Sequence, residues 1–115
     1  MIVVAARAAI EALARGHKVI ATTETEAQAE ALRKDAPEVC VEKVDITNPA
    51  DMDKVRSWDI DVLLNNAGTH QNGPFENATD AIWQADFDLK LFSAIRLSRA
   101  AFPKMKARKW GRIIN

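Results

Sequence analysis

The sequence predicts an α/β domain whose parallel sheet is covered by helices on both faces. Two observations carry this. Short, nearly continuous hydrophobic runs recur along the chain, and stretches of a dozen or more residues with helix-forming composition separate them. A strand that returns parallel needs such a crossover, and strands buried on both faces read as unbroken apolar runs. Right-handed crossovers then place each helix on one side of the sheet or the other.

The elements follow in order. Residues 2–4 are a β-branched strand fragment, and residues 7–15 a helix with Ala9 and Leu13, joined by Ala6 and Ile10, on one face. Gly16 stops it. Residues 17–21 form a buried strand ended by Thr22 or Thr23. Residues 24–34 form a second helix, with Ala27, Ala31 and Leu32 as a thin apolar face, which Asp35-Ala36-Pro37 breaks. Residues 39–44 are a third strand, and Cys40, within Val39-Cys40-Val41, is expected to be a buried small hydrophobe.

A turn over residues 45–49 offers Thr47 or Asn48 as a helix cap and Pro49 for the first helical turn, leading into two turns over residues 50–57. Residues 61–64 are the fourth strand, leaving through Asn65-Asn66-Ala67-Gly68. After a polar loop, Thr79 caps a long helix over residues 80–106. Trp83, Phe87, Leu91, Ala94, Leu97 or Ser98, and Ala101 recur there at spacings of three and four. Pro103 is expected to kink its last turns. Lys104, Lys106, Arg108 and Lys109 read as a solvated helix end favoured by the helix dipole. Residues 112–115 start a fifth strand.

With 115 residues the chain is long enough for one domain and too short for two. Sixteen basic residues balance sixteen acidic ones, so no overall charge footprint for nucleic acid or an anionic membrane exists. A lone cysteine rules out a disulfide framework within the chain and agrees with a reducing compartment. The opening apolar run is too short for a signal peptide and Arg7 interrupts it, and no stretch reaches the roughly 18 apolar residues of a membrane helix. A cytoplasmic location is the expectation.

In an open parallel sheet the ligand crevice lies beyond the carboxyl ends of the strands, where strand order reverses. That rule selects Thr22 and Thr23, Asp45 and Ile46, residues 65–68, and Asn115. Successive amides at Asn65 and Asn66 can satisfy turn backbone, Ala67 permits close approach, and Gly68 allows conformations denied to other residues. Asp45 can accept hydrogen bonds from an adenine amino group or from nearby backbone amides. An acid at the end of the second strand would bind a ribose diol; Thr23 supplies none, while Glu24 is its neighbour, so NAD and NADP both stay open.

These residues, in this order, resemble the short-chain dehydrogenase/reductase family over residues 7–115. The carriers are the first helix and second strand, Asp45-Ile46-Thr47, residues 61–68 with Asn-Asn-Ala-Gly, Phe87-Asp88-Leu89-Lys90, and Trp110-Gly111-Arg112-Ile113-Ile114-Asn115. The resemblance implies a partial Rossmann-like, doubly wound parallel sheet in three α/β/α layers, with residues 1–115 a single incomplete nucleotide-binding domain. It implies NAD or NADP as cofactor, with Thr23, Asp45, Ile46, Asn66, Ala67 and Gly68 as cofactor-binding residues and a small carbonyl or alcohol compound as substrate. It aligns Asp88 with a relay asparagine. An ionised aspartate accepts but does not donate, so no catalytic role is assigned to it.

Two departures shape the functional expectation. Val4 and Ala6 stand at later positions of the family's glycine-rich turn, so cofactor binding is expected to be weak or absent. The family's serine, tyrosine and lysine are not reached by Asn115, and the sequence holds no tyrosine. His70 and His17 read as surface histidines. The expectation is therefore a chain of oxidoreductase descent, eroded at its start, cut short at its end and inactive in isolation. The alternatives are a non-catalytic, dimer-capping protein using the helix over residues 80–106, or a gene fragment without a role of its own. Since both ends fall inside structural elements, the fragment is favoured over the dimer cap.

Overall fold

A computed structural model describes the backbone of residues 2–4, 6–68 and 73–115, with side chains from residue 8 onward in those ranges. His70 lies outside the described residues.

Five parallel strands form one sheet. Ile2–Val4 (β1) lies at its centre, between Val19–Thr23 (β2) and Val62–Leu64 (β4); Cys40–Lys43 (β3) and Arg112–Ile114 (β5) are the edges. The order β3-β2-β1-β4-β5 means that the chain runs outward to β3 and then returns to the other side of β1. The switch point thus falls between β1 and β4. Ile2 pairs with Val19 on one side and Val62 on the other, so a strand of three residues holds the two halves together.

The two faces have separate cores. Val19 and Ala21 point to the side covered by Ala6–Ala14 (α1) and Glu26–Asp35 (α2), where Ala9, Ala29 and Ala36 are buried with them. Ile20 and Leu63 point to the other side, against Met52 and Val55 of Met52–Ser57 (α3) and Leu97, Ala101 and Met105 of Ser93–Ala107 (α5). This alternation is the period of two expected of a strand. It makes a three-layer, doubly wound α/β/α fold. Fully burying a side chain such as Leu63 or Ile60 contributes about 1.5–3 kcal/mol, so among the described side chains the α3/α5 face supplies the larger share of the apolar driving force.

Local chemistry sets the helix ends. Gly16 has φ +82°, and Gly16 N donates to Leu13 O at 2.8 Å while His17 N donates to Ala12 O at 3.1 Å, closing α1 as expected. Thr25 begins α2 with a reciprocal cap: its hydroxyl accepts from Gln28 N, and the Gln28 side chain accepts from Thr25 N. Asn48 Oδ1 accepts from Ala50 N at 3.0 Å and Pro49 opens a 3₁₀ turn, Pro49–Asp51, that leads into α3. Thr79 caps Asp80–Phe87 (α4), accepting from Ile82 N.

Four expectations are corrected. Cys40 is exposed, because strand alternation turns Val39 and Val41 toward α2 and leaves Cys40 on the opposite face of an edge strand. Ala27 and Ala31 are exposed, because the Thr25 cap sets a phase in which Ala29, with Leu32 and Ala36, faces the sheet. The long helix is not one stripe: a π turn, Asp88–Phe92, separates α4 from α5. A π turn holds extra chain per turn, so the two apolar stripes fall out of phase. Leu97 and Ala101 are buried, whereas Trp83, Phe87 and Leu91 are 43%, 45% and 49% exposed. Pro103 lies within α5, well downstream of this interruption.

The fourth correction concerns the basic end of α5. Lys104 Nζ donates to the carbonyls of Ser57 and Trp58 at 3.0 Å each, and Arg108 binds the Asp59 carboxylate, Ile60 O and, at 3.2 Å, Asp61 Oδ1. Both side chains tie α5 to the connection between α3 and β4; only Arg108 is half-buried, while Lys104, Lys106 and Lys109 are exposed as expected of a solvated helix end. Among the described residues, no helix is long and apolar enough to cross a membrane, and no group of three His, Cys, Asp or Glu is placed to hold a metal ion.

Candidate functional site

The carboxyl ends of β2, β3, β4 and β5 open onto a cleft of about 480 Å³. All six sequence-selected residues, Thr23, Asp45, Ile46, Asn66, Ala67 and Gly68, line it. They gather there because parallel strands end on the same side of the sheet, whatever their separation in sequence.

The turn after β3 is the most fully determined part. Asp45 Oδ1 accepts from Thr47 N at 2.9 Å and from Thr47 Oγ1 at 2.6 Å, a side-chain-closed turn. Asp45 Oδ2 takes no hydrogen bond among the described residues. The backbone N–H of Asp45 donates to Asp51 Oδ2 at 2.7 Å, and Lys43 Nζ donates to the same oxygen at 3.1 Å. These donors, the Asp45 N–H first, hold the Asp51 carboxyl below the usual carboxylate value. On the other side, Arg96 Nη1 of α5 donates to Thr47 O at 3.4 Å.

At β2, Thr23 Oγ1 donates to Thr25 O at 3.1 Å, which fixes the threonine against the start of α2 and leaves Glu24 at the rim. At β4, Asn65 N donates to Ile114 O at 2.8 Å, extending the pairing of β4 and β5 by one step. Asn65 Nδ2 donates to Asn115 Oδ1 at 2.8 Å, while Asn65 Oδ1 is buried with no donor among the described residues. Gly68 does not occupy a positive-φ conformation, and a Cβ there would meet no atom within 4 Å. Neither backbone conformation nor close packing among the described residues therefore calls for a glycine at this position.

The far wall was not read from the sequence. Leu89, Lys90, Ser93, Ala94 and Leu97 supply it. The stripe drawn through the helix from the sequence takes in Ala94 and Leu97 but misses Leu89, Lys90 and Ser93, because the residues upstream of the π turn follow a different face. Ser93 is 3% exposed and donates to Leu89 O, a back-bond to the preceding turn at the junction. Asp88 is not among the cleft-lining residues: its Oδ1 pairs with Arg96 Nη2 at 3.3 Å and its Oδ2 accepts from Gln84 Nε2 at 3.5 Å. Arg96 thus joins Asp88 to the Asp45–Thr47 turn. Lys90, two residues on, is among the cleft-lining residues, with its Nζ paired to Asp86 Oδ1 at 2.8 Å.

Beside Asp45 and Ile46 the cleft offers a carboxylate oxygen and apolar surface.

Comparison with known proteins agrees with the fold. The pattern described as short chain dehydrogenase matches residues 4–115. The chain is 35% identical over 108 residues to the NADP-dependent 3-hydroxy acid dehydrogenase YdfG of Salmonella typhi, covering 87% of this chain and 44% of that protein. It is 44% identical over 57 residues to the uncharacterized oxidoreductase YvrD of Bacillus subtilis, covering 50% of this chain and 22% of that one. Among solved structures, serine dehydrogenase from Escherichia coli superposes with TM-score 0.83 at 27% identity, covering 100% of this chain and 61% of that chain. A short-chain dehydrogenase from Streptomyces avermitilis gives 0.80 at 32% identity, covering 91% and 41%. In each case the chain spans less than two thirds of its relative. With 112 of 115 positions inside the family pattern, residues 4 to 115, this chain belongs to the short-chain dehydrogenase family.

Proposed function

We propose that the chain is the nucleotide-binding portion of an NAD(P)-dependent oxidoreductase acting on a carbonyl or alcohol substrate. The observation that carries this is the meeting of Thr23, Asp45, Ile46, Asn66, Ala67 and Gly68 at one cleft beside the switch point of the sheet. In this reading Asp45 and Ile46 take the adenine end, Thr23 and Glu24 border the ribose, and residues 66–68 run along the cofactor. The nicotinamide supplies the hydride acceptor or donor. The similar proteins point the same way: one is an NADP-dependent 3-hydroxy acid dehydrogenase, and a serine dehydrogenase of TM-score 0.84 is complexed with NADP+.

Val4 and Ala6 weaken the hold on the diphosphate, so the 115-residue chain binds the cofactor weakly. Hydride transfer also needs an acid or base within hydrogen-bond reach of the substrate oxygen. Asp88 is turned to Arg96, and no tyrosine exists in these residues, so the isolated chain does not turn over. Titration with NADH and NADPH, followed by nicotinamide fluorescence and by assay with simple carbonyl compounds, tests both statements. Micromolar binding, or turnover in protein freed of full-length enzyme, overturns them.

A second reading is supported by Trp83, Phe87, Leu91 and Phe102, which stand exposed along the helical segment over residues 80–106. This surface suits contact with another subunit, so the chain caps a partner or self-associates. Light scattering after size-exclusion chromatography, of the chain alone and mixed with a full-length subunit, decides it: a monomer at all concentrations that also leaves the full-length subunit unchanged removes this reading.

A further inference from the structure

Among the described residues lining the cleft, Lys90 is the only cation; the charged groups with it are Glu24 and Asp45. Lys90 stands at the end of the cleft away from Asp45. It shares with Ala94 and Asn115 the boundary between the cleft and a second cavity of about 550 Å³, and Asn115 follows β5, the edge strand opposite β3. The π turn brings it there, since the same turn aims the Asp88 carboxylate at Arg96 and Gln84.

The ammonium is held in reserve. Lys90 Nζ pairs with Asp86 Oδ1 at 2.8 Å one turn back, with the lysine side chain 45% exposed. An exposed pair of this kind is worth little, so a better-placed anion can take the ammonium from it. Three donors on a flexible stem suit an anionic oxygen group more than any neutral ligand.

We propose that Lys90 is an anion-binding residue at the Asn115 end of the cleft, recognising a phosphate or carboxylate group on the ligand bound there. The proposal deepens the reading of the cleft as a dinucleotide site and rests on it for the ligand's position. The anion belongs to the bound cofactor or to a carboxylate- or phosphate-bearing carbonyl substrate, and the experiment separates these.

The 115-residue chain, labelled with ¹⁵N-lysine, is titrated with inorganic phosphate, with acetate and with NADH while the side-chain nitrogen signals are followed by NMR. Lys90→Arg identifies the Lys90 signal by its loss, and Lys90→Met removes the charge at an exposed position. The expected result is a saturable shift of the Lys90 signal and phosphate binding weakened about tenfold or more in Lys90→Met, with Lys90→Arg close to the parent. A shift with NADH alone assigns the anion to the cofactor; a shift only when phosphate or acetate is added to the NADH-saturated chain assigns it to the substrate. A Lys90 signal that none of the three moves, or Lys90→Met binding phosphate as tightly as the parent, overturns the proposal. If NADH fails to bind while phosphate still moves Lys90, the dinucleotide reading fails and the anion site stands.

Discussion

Asn65 and Asn115, 50 residues apart, meet at the carboxyl ends of neighbouring strands, where Asn65 Nδ2 donates to Asn115 Oδ1 at 2.8 Å. The same amide keeps its own Oδ1 buried and unmatched by any described donor. One side chain thus makes a contact between β4 and β5 and carries a desolvation cost beside the cleft.

Replacing Asn115 and replacing Asn65 have unequal effects on stability. Asn115→Ala removes the partner and leaves the Asn65 amide unmatched at both ends, a loss of about 1 kcal/mol. Asn65→Leu removes the hydrogen bond and the buried acceptor together and stays within about 1 kcal/mol of the parent. Urea unfolding of both variants checks this ordering, and a larger loss for Asn65→Leu contradicts it.

Acid weakens the Asp45 turn through Asp51. The Asp45 N–H and then the Lys43 ammonium hold the Asp51 carboxyl below its ordinary value of 3.8. A group whose pKa is lower in the folded state contributes stability above its unfolded value and loses it as pH falls through the folded one. Lowering the pH from about 5 to about 3 therefore shifts the urea midpoint of the parent more than that of Asp51→Asn. Parallel shifts in the two proteins count against this account.

Gly111 is required by its neighbour. A Cβ there would lie 2.8 Å from Met105 Cβ and 2.5 Å from Met105 Cγ, and Met105 is a buried residue of α5. Gly111→Ala displaces the side chain near its root, at a cost of about 1–3 kcal/mol. Pairing it with Met105→Ala recovers part of the loss if the clash is its cause; additive losses in the double mutant say otherwise.

Lys109 is the opposite case. It closes α5 at φ 59°, with Trp110 N donating to Met105 O at 3.1 Å, a position that glycine occupies without strain. Lys109→Gly raises stability by up to about 1 kcal/mol, after allowance for the freer unfolded chain. A lower unfolding midpoint in that variant rejects the strain at Lys109.

The strands, α1 and the two threonine and asparagine caps at Thr79 and Asn48 were legible because they rest on local patterns: β-branched runs, Gly16, and polar residues before Pro49 and Asp80. The near half of the cleft was legible too, since the ends of parallel strands share one side. The far wall was not. Whether Asp88 or Lys90 lines the cleft depends on one extra residue per turn at Asp88–Phe92, and a π turn has no residue signature separate from an α turn. Lys104 and Arg108 read as solvated because their partners, Ser57 through Asp61, lie nearly fifty positions away. Cys40 was misplaced because an apolar run on an edge strand still alternates between a covered and an open face.

The central claim is that the cleft beyond β2, β3, β4 and β5 is a dinucleotide site kept weak by Val4 and Ala6. Backbone amide NMR of the 115-residue chain during an NADH titration tests it most directly. The account predicts shifts concentrated at residues 22–24, 45–47 and 65–68, saturating at a Kd of about 1 mM, near −4 kcal/mol. Shifts spread over other surfaces, or none in this cleft at saturating NADH, contradict it.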